Sequence, residues 1–583
     1  MSSLFRRLSR QEIVVGILAL AALVLAIIHL TNMISTVSRY SLNHAFQDQF
    51  RLNLRYLTVP FPLSIFELEN GHRPVLPGLA RWIELRYLAG TSTLQFISAW
   101  VAAVVAVGVL FQRCWSALDW SSRALLFCVV ATTVLWNANA RMFIHTYEAT
   151  HLFYIFASLT LALYAVSTER EVTLSATTFA CVAGALATFS FGPGIVVYAA
   201  VAGVLVLRRA AWQSLVMVIV SALLVFAVYS FVLPGAAGVR ASSESVSLLT
   251  TSYFVVARIA AFWIELFALQ FDSESNRQVI VVALGGSVVG LTLLHVTRAW
   301  WARRAFSPAT LVGLGLIFFG VVTNALIAFN RTAHFLAIPP ELFADRYVFW
   351  SALLWLGLAT YWLSQPKRPR SAILVLALII IAASSLAFNQ ANWWRSWAAS
   401  TYRVVELTSV ALRLGISHDH RLQEVSGLEI AIAQASVDAM RRAQVSTFAP
   451  GPEVWLGRKL ELAPFTTEIP VAISTDTRDL PRESSWEILG GVMPRVDAHR
   501  VSGWQLWVAD ESGKVIGQCA KTGLRTKSTD YSRYFKPIYN QFDCYVQRGH
   551  DDKIALLATR GETVKNLAKL IPVVRDKALI PNR

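Results

Sequence analysis

Charged residues are scarce in this chain of 583 residues. Asp, Glu, Lys and Arg make up 15% of it, whereas 55% of the residues are hydrophobic and the mean hydropathy is +0.50. Soluble domains carry about 25% charged residues. The shortage of charge therefore excludes an ordinary soluble enzyme. It indicates a polytopic membrane protein that also has a soluble part.

Cysteine is also rare, and five residues exclude a disulfide-rich scaffold. Cys114, Cys128 and Cys181 lie in or beside apolar runs and are predicted to be inert core residues. Cys519 and Cys544 both fall in the polar C-terminal part of the chain. A single disulfide between them is compatible with an oxidising compartment, provided that the fold brings the two thiols together.

Acidic residues are fewer than basic ones, and the net charge of +16 raises the question of a nucleic-acid partner. The basic residues, however, are concentrated before the first apolar run and in short links between later runs. They are Arg6, Arg7, Arg10, Arg208, Arg209, Arg298, Arg303, Arg304, Lys367, Arg368 and Arg370. This placement follows the positive-inside rule. The positive charge therefore indicates membrane topology, and no nucleic-acid partner is expected.

Long apolar runs predict about eleven transmembrane helices. They lie near residues 12–33, 92–112, 122–140, 149–168, 172–190, 193–208, 213–233, 278–297, 309–329, 345–364 and 371–389. The first run follows a basic segment, as in a signal peptide, but it is long enough to span a bilayer and no clear small-residue cleavage site follows it. We therefore expect an uncleaved anchor with a cytoplasmic N-terminus.

This orientation places every basic link on the cytoplasmic side. The first external loop, residues 34–91, then lies outside together with the chain after about residue 390. The run from Leu248 to Leu269 contains Arg258 and Glu265, and counting it as a span would invert the later links. It is therefore predicted to be an interfacial helix on the outer face.

The composition changes after residue 389. Residues 390–450 are predicted to form an extracytoplasmic helical connector. Residues 451–583 contain short strands and turn signals, which predict an extracytoplasmic domain with a small β-sandwich. Trp504 and Trp507 in this domain are suited to stacking on sugars, although core packing explains them equally well. The fold class is a polytopic α-helical membrane protein with a C-terminal extracytoplasmic α+β region.

The first external loop is the densest polar segment of the membrane part. It contains Asp48, Glu67, Glu69, His72, Arg73, Arg81 and Glu84. A carboxylate here can take a proton from an acceptor hydroxyl, and arginines can bind a phosphate through paired charged hydrogen bonds. The alternative is that these residues form local ion pairs, such as Arg81 with Glu84 at i,i+3 spacing.

Gln47-Asp48-Gln49-Phe50 and Asn70-Gly71-His72-Arg73 in this loop are followed by further short motifs later in the chain. In their order, these motifs resemble those of the GT-C superfamily of integral-membrane glycosyltransferases, in particular a group of bacterial GT-C-like proteins. Gln47-Asp48-Gln49-Phe50 resembles an acidic DDW-type motif, and Asn70-Gly71-His72-Arg73 resembles a NEHR-type motif. Later matches are Trp136-Asn137-Ala138-Asn139, the SFANG-type turn Phe189-Ser190-Phe191-Gly192-Pro193-Gly194, and the GRA-like and SRY-like elements Asn330-Arg331-Thr332 and Asp345-Arg346-Tyr347. The similarity covers most of residues 1–389, which are therefore expected to form a GT-C-like transmembrane domain.

The resemblance assigns roles to individual residues. It implies that Asp48 is the general base and makes Glu69 the second catalytic candidate. The residues implied to hold the donor phosphate are His72, Arg73, Arg331 and Arg346, and Arg81 of the same loop is a further candidate for this role. Asn137 and Tyr347 in the matched motifs are candidates for contact with substrate, and so are His145 and Glu148 because of their position near a span boundary. This chain departs from the family pattern at Gly71, where the NEHR-type motif has a glutamate.

His145, Glu148 and His151 follow one another at intervals of three residues, which would place them on one face of a helix. Such a set could bind a metal ion, but contact with donor or acceptor, or ordinary interfacial hydrogen bonding, is favoured. No metal ligand is therefore assigned and no cofactor is required; a divalent metal ion is the one cofactor that the sequence leaves open.

The resemblance implies an enzyme of the bacterial inner membrane. It would transfer a sugar from a polyprenyl-phosphate-linked donor to a cell-envelope glycan, lipid or protein acceptor on the extracytoplasmic face. Its partners would be the lipid-linked sugar donor, membrane lipids and the acceptor. The alternative is a glycolipid or polysaccharide transporter, or an inactive carbohydrate-binding relative. A transporter is expected to have inverted repeats with paired broken helices, and the Gly-Pro break at residues 191–194 has no counterpart in a matching half.

Overall fold

A computed structural model describes most of the chain. The described residues are 10–136, 139–168, 171–233, 247–266, 274–301, 306–365, 391–416, 419–449, 455–460, 472–476, 485–494, 504–523, 539–549, 553–560 and 563–574. They divide into two compact units. The first unit draws on Met1–Ser38, Phe61–Ala80 and Gln95–Trp394, and the second on Arg39–Pro60, Arg81–Leu94 and Arg395–Arg583.

Helices dominate the chain up to residue 449. In order they are α1 (Arg10–Tyr40), α2 (Gln49–Thr58), α3 (Leu63–Phe66), α4 (Val75–Tyr87), α5 (Thr93–Trp115), α6 (Trp120–Thr133), α7 (Ala140–Ile144), α8 (Thr146–Val166), α9 (Leu174–Thr188), α10 (Val196–Leu207), α11 (Trp212–Ala227), α12 (Leu248–Leu266), α13 (Glu274–Val281), α14 (Ser287–Trp301), α15 (Pro308–Ala337), α16 (Asp345–Leu363), α17 (Ala391–Arg413), α18 (Asp419–Ser426) and α19 (Ile430–Ala443).

Within the described residues, seven helical stretches are long and apolar enough to cross a membrane. They are Glu12–Tyr40, Thr93–Trp115, Thr146–Val166, Trp212–Val232, Gln278–Arg298, Pro308–Ala337 and Pro339–Leu363. Each coincides with a predicted run. The predicted runs 172–190 and 193–208 correspond to two shorter apolar helices, the run 122–140 corresponds to α6, and the run 371–389 lies outside the described residues. The prediction of a polytopic helical membrane protein is confirmed.

Helices α15 and α16 of the first unit pack closely against each other at two glycines. A Cβ atom on Gly313 would lie 2.6 Å from the backbone nitrogen of Tyr361, and one on Gly357 would lie 2.8 Å from the carbonyl oxygen of Gly313. Small residues permit such contact between membrane helices, because a larger side chain would hold the two backbones apart. The contact fixes the two helices that carry Arg331, Asp345 and Arg346.

Helix α12 is exposed at Leu248 and Leu249 and is largely buried in the first unit from Thr251 to Ile264. Its Arg258 is fully buried and donates to the carbonyl oxygen of Leu342. The carbonyl oxygen of Ile259 accepts from Ser351 at 2.8 Å and from Trp355 at 3.0 Å, which attaches α12 to α16. Arg258, one of the two charged residues on which the prediction of an interfacial helix depends, is therefore accommodated by a backbone carbonyl inside the first unit. The position of this helix relative to the bilayer stays a prediction.

The second unit has a helical part and a β part. In the helical part, the hydroxyl of Ser436 on α19 donates to the carbonyl oxygen of Phe50 on α2. The seven strands are β1 (Ala472–Asp476), β2 (Trp486–Pro494), β3 (Gln505–Ala509), β4 (Val515–Gly523), β5 (Tyr539–Gln547), β6 (Lys553–Arg560) and β7 (Thr563–Val574). The predicted C-terminal α+β region is therefore confirmed.

The strands close into one barrel instead of packing as the two separate sheets of a sandwich. Their order is β1-β2-β5-β4-β3-β6-β7, and β1 pairs with β2 in antiparallel and with β7 in parallel fashion. Trp507 is buried, and its indole nitrogen donates to Thr559 at 3.0 Å. Of the two explanations for this tryptophan, core packing is the one that applies.

A disulfide joins Cys519 and Cys544, which are direct partners in the register of β4 and β5. The bond closes a loop of 25 residues. We expect the double substitution Cys519→Ser, Cys544→Ser to lower the free energy of unfolding of the second unit by about 3 kcal/mol, because the unfolded chain regains the entropy of the open loop. Thermal unfolding with and without dithiothreitol measures this effect. Wild-type protein should respond to the reductant and the double variant should not; an equal response of both would contradict the assignment.

Candidate functional site

A two-residue turn between α3 and α4 brings Glu69 and His72 together. The backbone of Glu69 donates to the carbonyl oxygen of His72 at 2.7 Å, and His72 donates back to Glu69 at 2.8 Å. Asn70 and Gly71 between them have φ values of +48° and +81°. Asn-Gly is the preferred pair for tight hairpin turns with positive φ at both positions. Gly71, where the family motif has an acid, is therefore the residue that closes the turn.

Position 71 requires glycine because of its backbone conformation. Steric room is not the reason, since a Cβ atom there would have no neighbour within 4 Å. We expect Gly71→Glu, which restores the acid of the family motif, to lower stability by about 1–2 kcal/mol and to give no gain in activity, because a non-glycine residue is strained at this φ. Gly71→Asn is the matched control and should cost less, since asparagine tolerates positive φ. Increased activity of Gly71→Glu would contradict this account of the turn.

The carboxylate of Glu69 is buried, with 7% of the residue exposed. The hydroxyl of Tyr147, in the first turn of α8, donates to its Oε2 at 2.7 Å. Tyr147 is itself 1% exposed. A carboxylate removed from bulk water and held by a buried donor has the setting of a catalytic group, since burial and a fixed partner define its position.

Two aromatic rings, those of His151 and Phe191, connect Tyr147 to His72. The centroids of the Tyr147 and His151 rings are 4.5 Å apart, and His151 stacks on Phe191 at 4.8 Å with an interplanar angle of 3°. Phe191 in turn lies 4.5 Å from the ring of His72. Glu69, Tyr147, His151, Phe191 and His72 therefore form a continuous cluster, which we call the Glu69 cluster.

Gly192 completes this cluster by leaving room for His72. A Cβ atom on Gly192 would lie 2.3 Å from Nδ1 of His72, so a side chain at this position would displace the imidazole. The SFANG-like turn, which the sequence suggested as a family motif, thus supplies both the Phe191 ring and the glycine beside His72.

His72 lies near the positive charge of Arg331 on α15. Burial of the imidazole, together with the nearby Arg331 guanidinium, lowers the pKa of His72 to about 4. The imidazole is therefore neutral at neutral pH and offers an N–H donor without a positive charge. Of the predicted phosphate ligands, His72 and Arg331 interact electrostatically.

This low pKa predicts a pH-dependent stability. Between pH 6.5 and pH 4 the folded protein binds fewer protons at His72 than the unfolded chain does, so stability falls as the pH is lowered through this window. Wild-type protein should lose about 3 kcal/mol more than His72→Gln when the pH is lowered from 7 to 4. Chemical unfolding in detergent at several pH values measures the difference. His420→Gln, at an exposed position, is the control. Parallel curves for wild type and His72→Gln would contradict this assignment.

A second group of charges connects α7, α8 and α16. Arg141 lies 3.3 Å from Glu148 and 3.4 Å from Asp345, and each of these three side chains is 15–20% exposed. His145 lies 3.2 Å from the same oxygen of Glu148. The backbone nitrogen of Arg346 donates to Asp345 at 2.7 Å. Arg141 therefore neutralises two carboxylates that come from different helices.

Arg346 and Tyr347 lie at the start of α16. The Arg346 side chain forms an ion pair with Glu341. The guanidinium groups of Arg346 and Arg258 lie over the Tyr347 ring at 5.1 Å and 5.0 Å from its centroid. The predicted residues Arg346, Tyr347, Glu148 and His145 thus all fall in the first unit with the Glu69 cluster. Among the described residues, no group of three or more His, Cys, Asp or Glu side chains is arranged to hold a metal ion.

Arg73 binds backbone carbonyls of its own unit. It is fully buried, and its guanidinium donates to the carbonyl oxygens of Tyr229 at 2.7 Å, Phe66 at 2.5 Å and Leu233 at 3.2 Å. Its backbone nitrogen donates to the hydroxyl of Tyr229 at 2.7 Å. These bonds attach the segment that directly follows the Glu69–His72 turn to the end of the Trp212–Val232 helical stretch.

The remaining predicted residues belong to the second unit or lie outside the described residues. Asp48 and Arg81 belong to the second unit. Asp48 forms an ion pair with Arg51 at 3.1 Å, and its side chain is 43% exposed. Arg81 is fully buried; it donates to Asn53 at 3.0 Å and pairs with Glu84 at 3.4 Å, as its spacing suggested. Asn137 lies outside the described residues.

Sequence reasoning missed four residues of this region: Tyr147, Arg141, Asp345 and Arg258. Arg141 and Arg258 carried a signal, because a charged residue in an apolar stretch of a membrane protein usually has a buried partner. Asp345 was part of a recognised motif but received no role. Tyr147 carried no signal, since it lies between the predicted runs 122–140 and 149–168, and an aromatic residue at a span boundary is explained by its interfacial position alone.

Comparison with known proteins adds little to this picture. No family model matches the sequence, and no curated protein matches it. Among solved structures, the chain is similar to the archaeal oligosaccharyltransferase AglB from Archaeoglobus fulgidus, determined in complex with an inhibitory peptide and a dolichol-phosphate. The identity is 12% and the TM-score 0.33, over 71% of this chain and 59% of that one, so the chain spans less than two thirds of its length. At this level of similarity, the case for a function depends on the residues of the site.

Proposed function

We propose that this protein is a membrane glycosyltransferase of GT-C type. It transfers a sugar from a polyprenyl-phosphate-linked donor to a cell-envelope glycan, lipid or protein acceptor on the extracytoplasmic face of the bacterial inner membrane. The observation that carries the proposal is the position of Glu69. This carboxylate is 7% exposed, it accepts from Tyr147, and a tight turn pairs it with His72, whose ring lies near Arg331.

The proposed step is a single displacement at the anomeric carbon. Glu69 takes the proton of the acceptor hydroxyl as the acceptor oxygen forms its bond to the sugar. The bond between the anomeric carbon and the donor phosphate oxygen breaks, and its electron pair stays on the phosphate. Polyprenyl phosphate leaves with this additional negative charge, and the proton on Glu69 is released to solvent.

Arg331 and His72 serve the leaving phosphate in this scheme. Arg331 supplies a positive charge that can bind phosphate oxygens through more than one N–H group. Neutral His72 supplies an N–H donor beside it. Charge that develops on the phosphate during the step is stabilised by donors that are already in place, which is the most effective form of electrostatic catalysis.

Glu69 is preferred to Asp48 as the general base because of their different surroundings. Asp48 has a 43% exposed side chain and pairs with Arg51, three residues away in the same helical segment. A carboxylate in water with a local partner gains little catalytic basicity, whereas a buried carboxylate is more readily tuned. Asp48 remains the competing candidate from the motif resemblance, and the experiments below separate the two.

We also propose a separate role for each of three segments of the chain. Residues 1–389 form the catalytic membrane domain, with loop 34–91 outside. Residues 390–450 form an extracytoplasmic connector, and residues 451–583 an extracytoplasmic domain that positions the acceptor. The Cys519–Cys544 disulfide supports an extracytoplasmic location, since such bonds persist in oxidising compartments.

Sugar transfer in reconstituted proteoliposomes tests the proposal. Radiolabelled sugars on polyprenyl phosphate are supplied with an envelope glycan and lipid fraction, and labelled acceptor is separated from labelled donor. The proposal predicts acceptor labelling that depends on the protein and on Glu69. Movement of donor across the bilayer with no acceptor labelling would instead favour the transporter.

A further inference from the structure

Neither the sequence nor the proposed reaction gives a role to the hydroxyl of Tyr147. It lies in the first turn of α8 and donates to Oε2 of Glu69 at 2.7 Å. Both residues are buried, with 1% and 7% of their surfaces exposed. A hydrogen bond to a charged acceptor is stronger than one between neutral groups, and burial increases the difference.

We infer that Tyr147 is the positioning residue of the proposed base. It fixes the rotamer of the Glu69 carboxylate and stabilises its ionised form, so that the base is deprotonated when acceptor binds. The inference rests on the proposed function, because it gives Tyr147 its role through Glu69. The phenol keeps its proton throughout the reaction, and the proton from the acceptor hydroxyl goes to Glu69.

The surroundings hold Tyr147 in the orientation that this role requires. On one side its ring contacts His151, which stacks on Phe191, and Phe191 contacts His72. The next residue on α8, Glu148, pairs with Arg141. Adjacent helix residues point in different directions. The first turn of α8 therefore holds the base through Tyr147 and is itself attached to α7 through the neighbouring glutamate.

The pH dependence of the reaction rate separates this role from a purely structural one. If the phenol only filled space, Tyr147→Phe would leave the pH dependence of the reaction unchanged. If the hydroxyl stabilises the Glu69 anion, its loss makes protonation of Glu69 easier. The acid limb of the pH–rate profile then moves to higher pH by about one to two units, the equivalent of one hydrogen bond to a charged group.

The chain offers a closely matched control in Tyr154, which lies two turns further along α8. Its hydroxyl donates to Ser98 at 2.7 Å, the same distance as in the Tyr147–Glu69 bond. Tyr154→Phe therefore removes the same atom and a bond of the same length from the same helix, without altering a bond to Glu69. We expect it to retain the activity and the pH profile of the wild type.

The experiment measures kcat and KM for sugar transfer between pH 5 and 9 for the full-length wild type, Tyr147→Phe and Tyr154→Phe. Tyr147→Phe should lower kcat by about 10- to 100-fold with KM nearly unchanged, and should move the acid limb upward. Identical profiles for both phenylalanine variants would overturn the inference. A fall in kcat without movement of the limb would also overturn it, because it would show a structural role.

Two further measurements cover other outcomes. If Tyr147→Phe fails to fold, 3-fluorotyrosine is incorporated at position 147 instead. This phenol is more acidic and is a stronger donor, so the acid limb should move to lower pH. An unmoved limb would overturn the inference.

If the wild type transfers no sugar from any donor, the proposed function fails separately. Thermal unfolding of Tyr147→Phe, Glu69→Leu and the double variant then tests the hydrogen bond itself, and additive Tm shifts would show that the two side chains are not coupled and would overturn the inference.

Discussion

Glu69→Gln is expected to lower kcat for sugar transfer by a factor of about 10² to 10⁴, the usual contribution of a general base. Glutamine preserves the size of the side chain and can still accept from Tyr147, but it cannot take the proton of the acceptor hydroxyl. KM for the donor should change little, because the donor phosphate is assigned to Arg331 and His72. Initial rates in proteoliposomes with saturating donor measure the effect.

Two variants make this result specific. Glu67→Gln is the same substitution two residues earlier in the loop, at a partly exposed position, and should leave kcat within about threefold of the wild type. Asp48→Asn tests the competing base, and we expect it to retain most of the activity since Asp48 is 43% exposed and paired with Arg51. Loss of activity in Asp48→Asn, with Glu69→Gln still active, would reassign the base to Asp48.

The largest expected effect on stability is that of Arg141→Met. Arg141 lies within 3.4 Å of both Glu148 and Asp345, and each of the three side chains is at most 20% exposed. Removing the guanidinium leaves two mostly buried carboxylates without their shared counter-ion. Loss of one partner of a buried ion pair costs about 3–5 kcal/mol, so the variant should unfold at markedly lower denaturant concentration.

Arg51→Met provides the matched control, because it removes the partner of a carboxylate whose pair is about 40% exposed. Pairs of this kind contribute about 0–1 kcal/mol, so the control should be close to wild type. Adding Glu148→Gln and Asp345→Asn to Arg141→Met should recover part of the lost stability, since the uncompensated charges are removed. Equal effects of Arg141→Met and Arg51→Met would show that the buried network contributes no more than a surface pair.

The membrane part of the fold was predictable because the apolar runs that indicate it are long. Runs such as 92–112 and 309–329 exceed the length of ordinary core helices, so that hydropathy alone identified α5 and α15. The strands after residue 471 were also recognisable from their turns. Their closure into a barrel was not, because it depends on β1 pairing with both β2 and β7, and such long-range register leaves no local mark.

The hydrogen-bond partners of the polar residues could not be predicted from residue type. Arg73 and Arg81 were predicted to bind phosphate because of their residue type and position in the loop. In the folded protein Arg73 donates to three backbone carbonyls, and Arg81 donates to Asn53. Which acceptor an arginine meets is decided by the packing of distant segments. Residue type therefore predicts the chemistry available at a site more reliably than it predicts the partner.

Gly71 illustrates the opposite case, in which a local signal was present and was interpreted differently. Compared with the NEHR-type motif, Gly71 occupies the position of an acid. Asn70-Gly71 is also a strong local signal for a tight turn, and the turn places Glu69 opposite His72. Only the contact with Tyr147, which lies 78 residues further along the chain, required the folded structure to be seen.

The most direct test of the central claim follows both products of the reaction in one assay. Proteoliposomes containing wild-type protein or Glu69→Gln are given a polyprenyl-phosphate sugar labelled in both the sugar and the lipid, together with an envelope acceptor fraction. The account predicts that wild-type protein releases one polyprenyl phosphate for each sugar that appears on the acceptor, and that Glu69→Gln releases almost none. Equal rates for the two proteins, or no acceptor-dependent release of polyprenyl phosphate by the wild type, would contradict it.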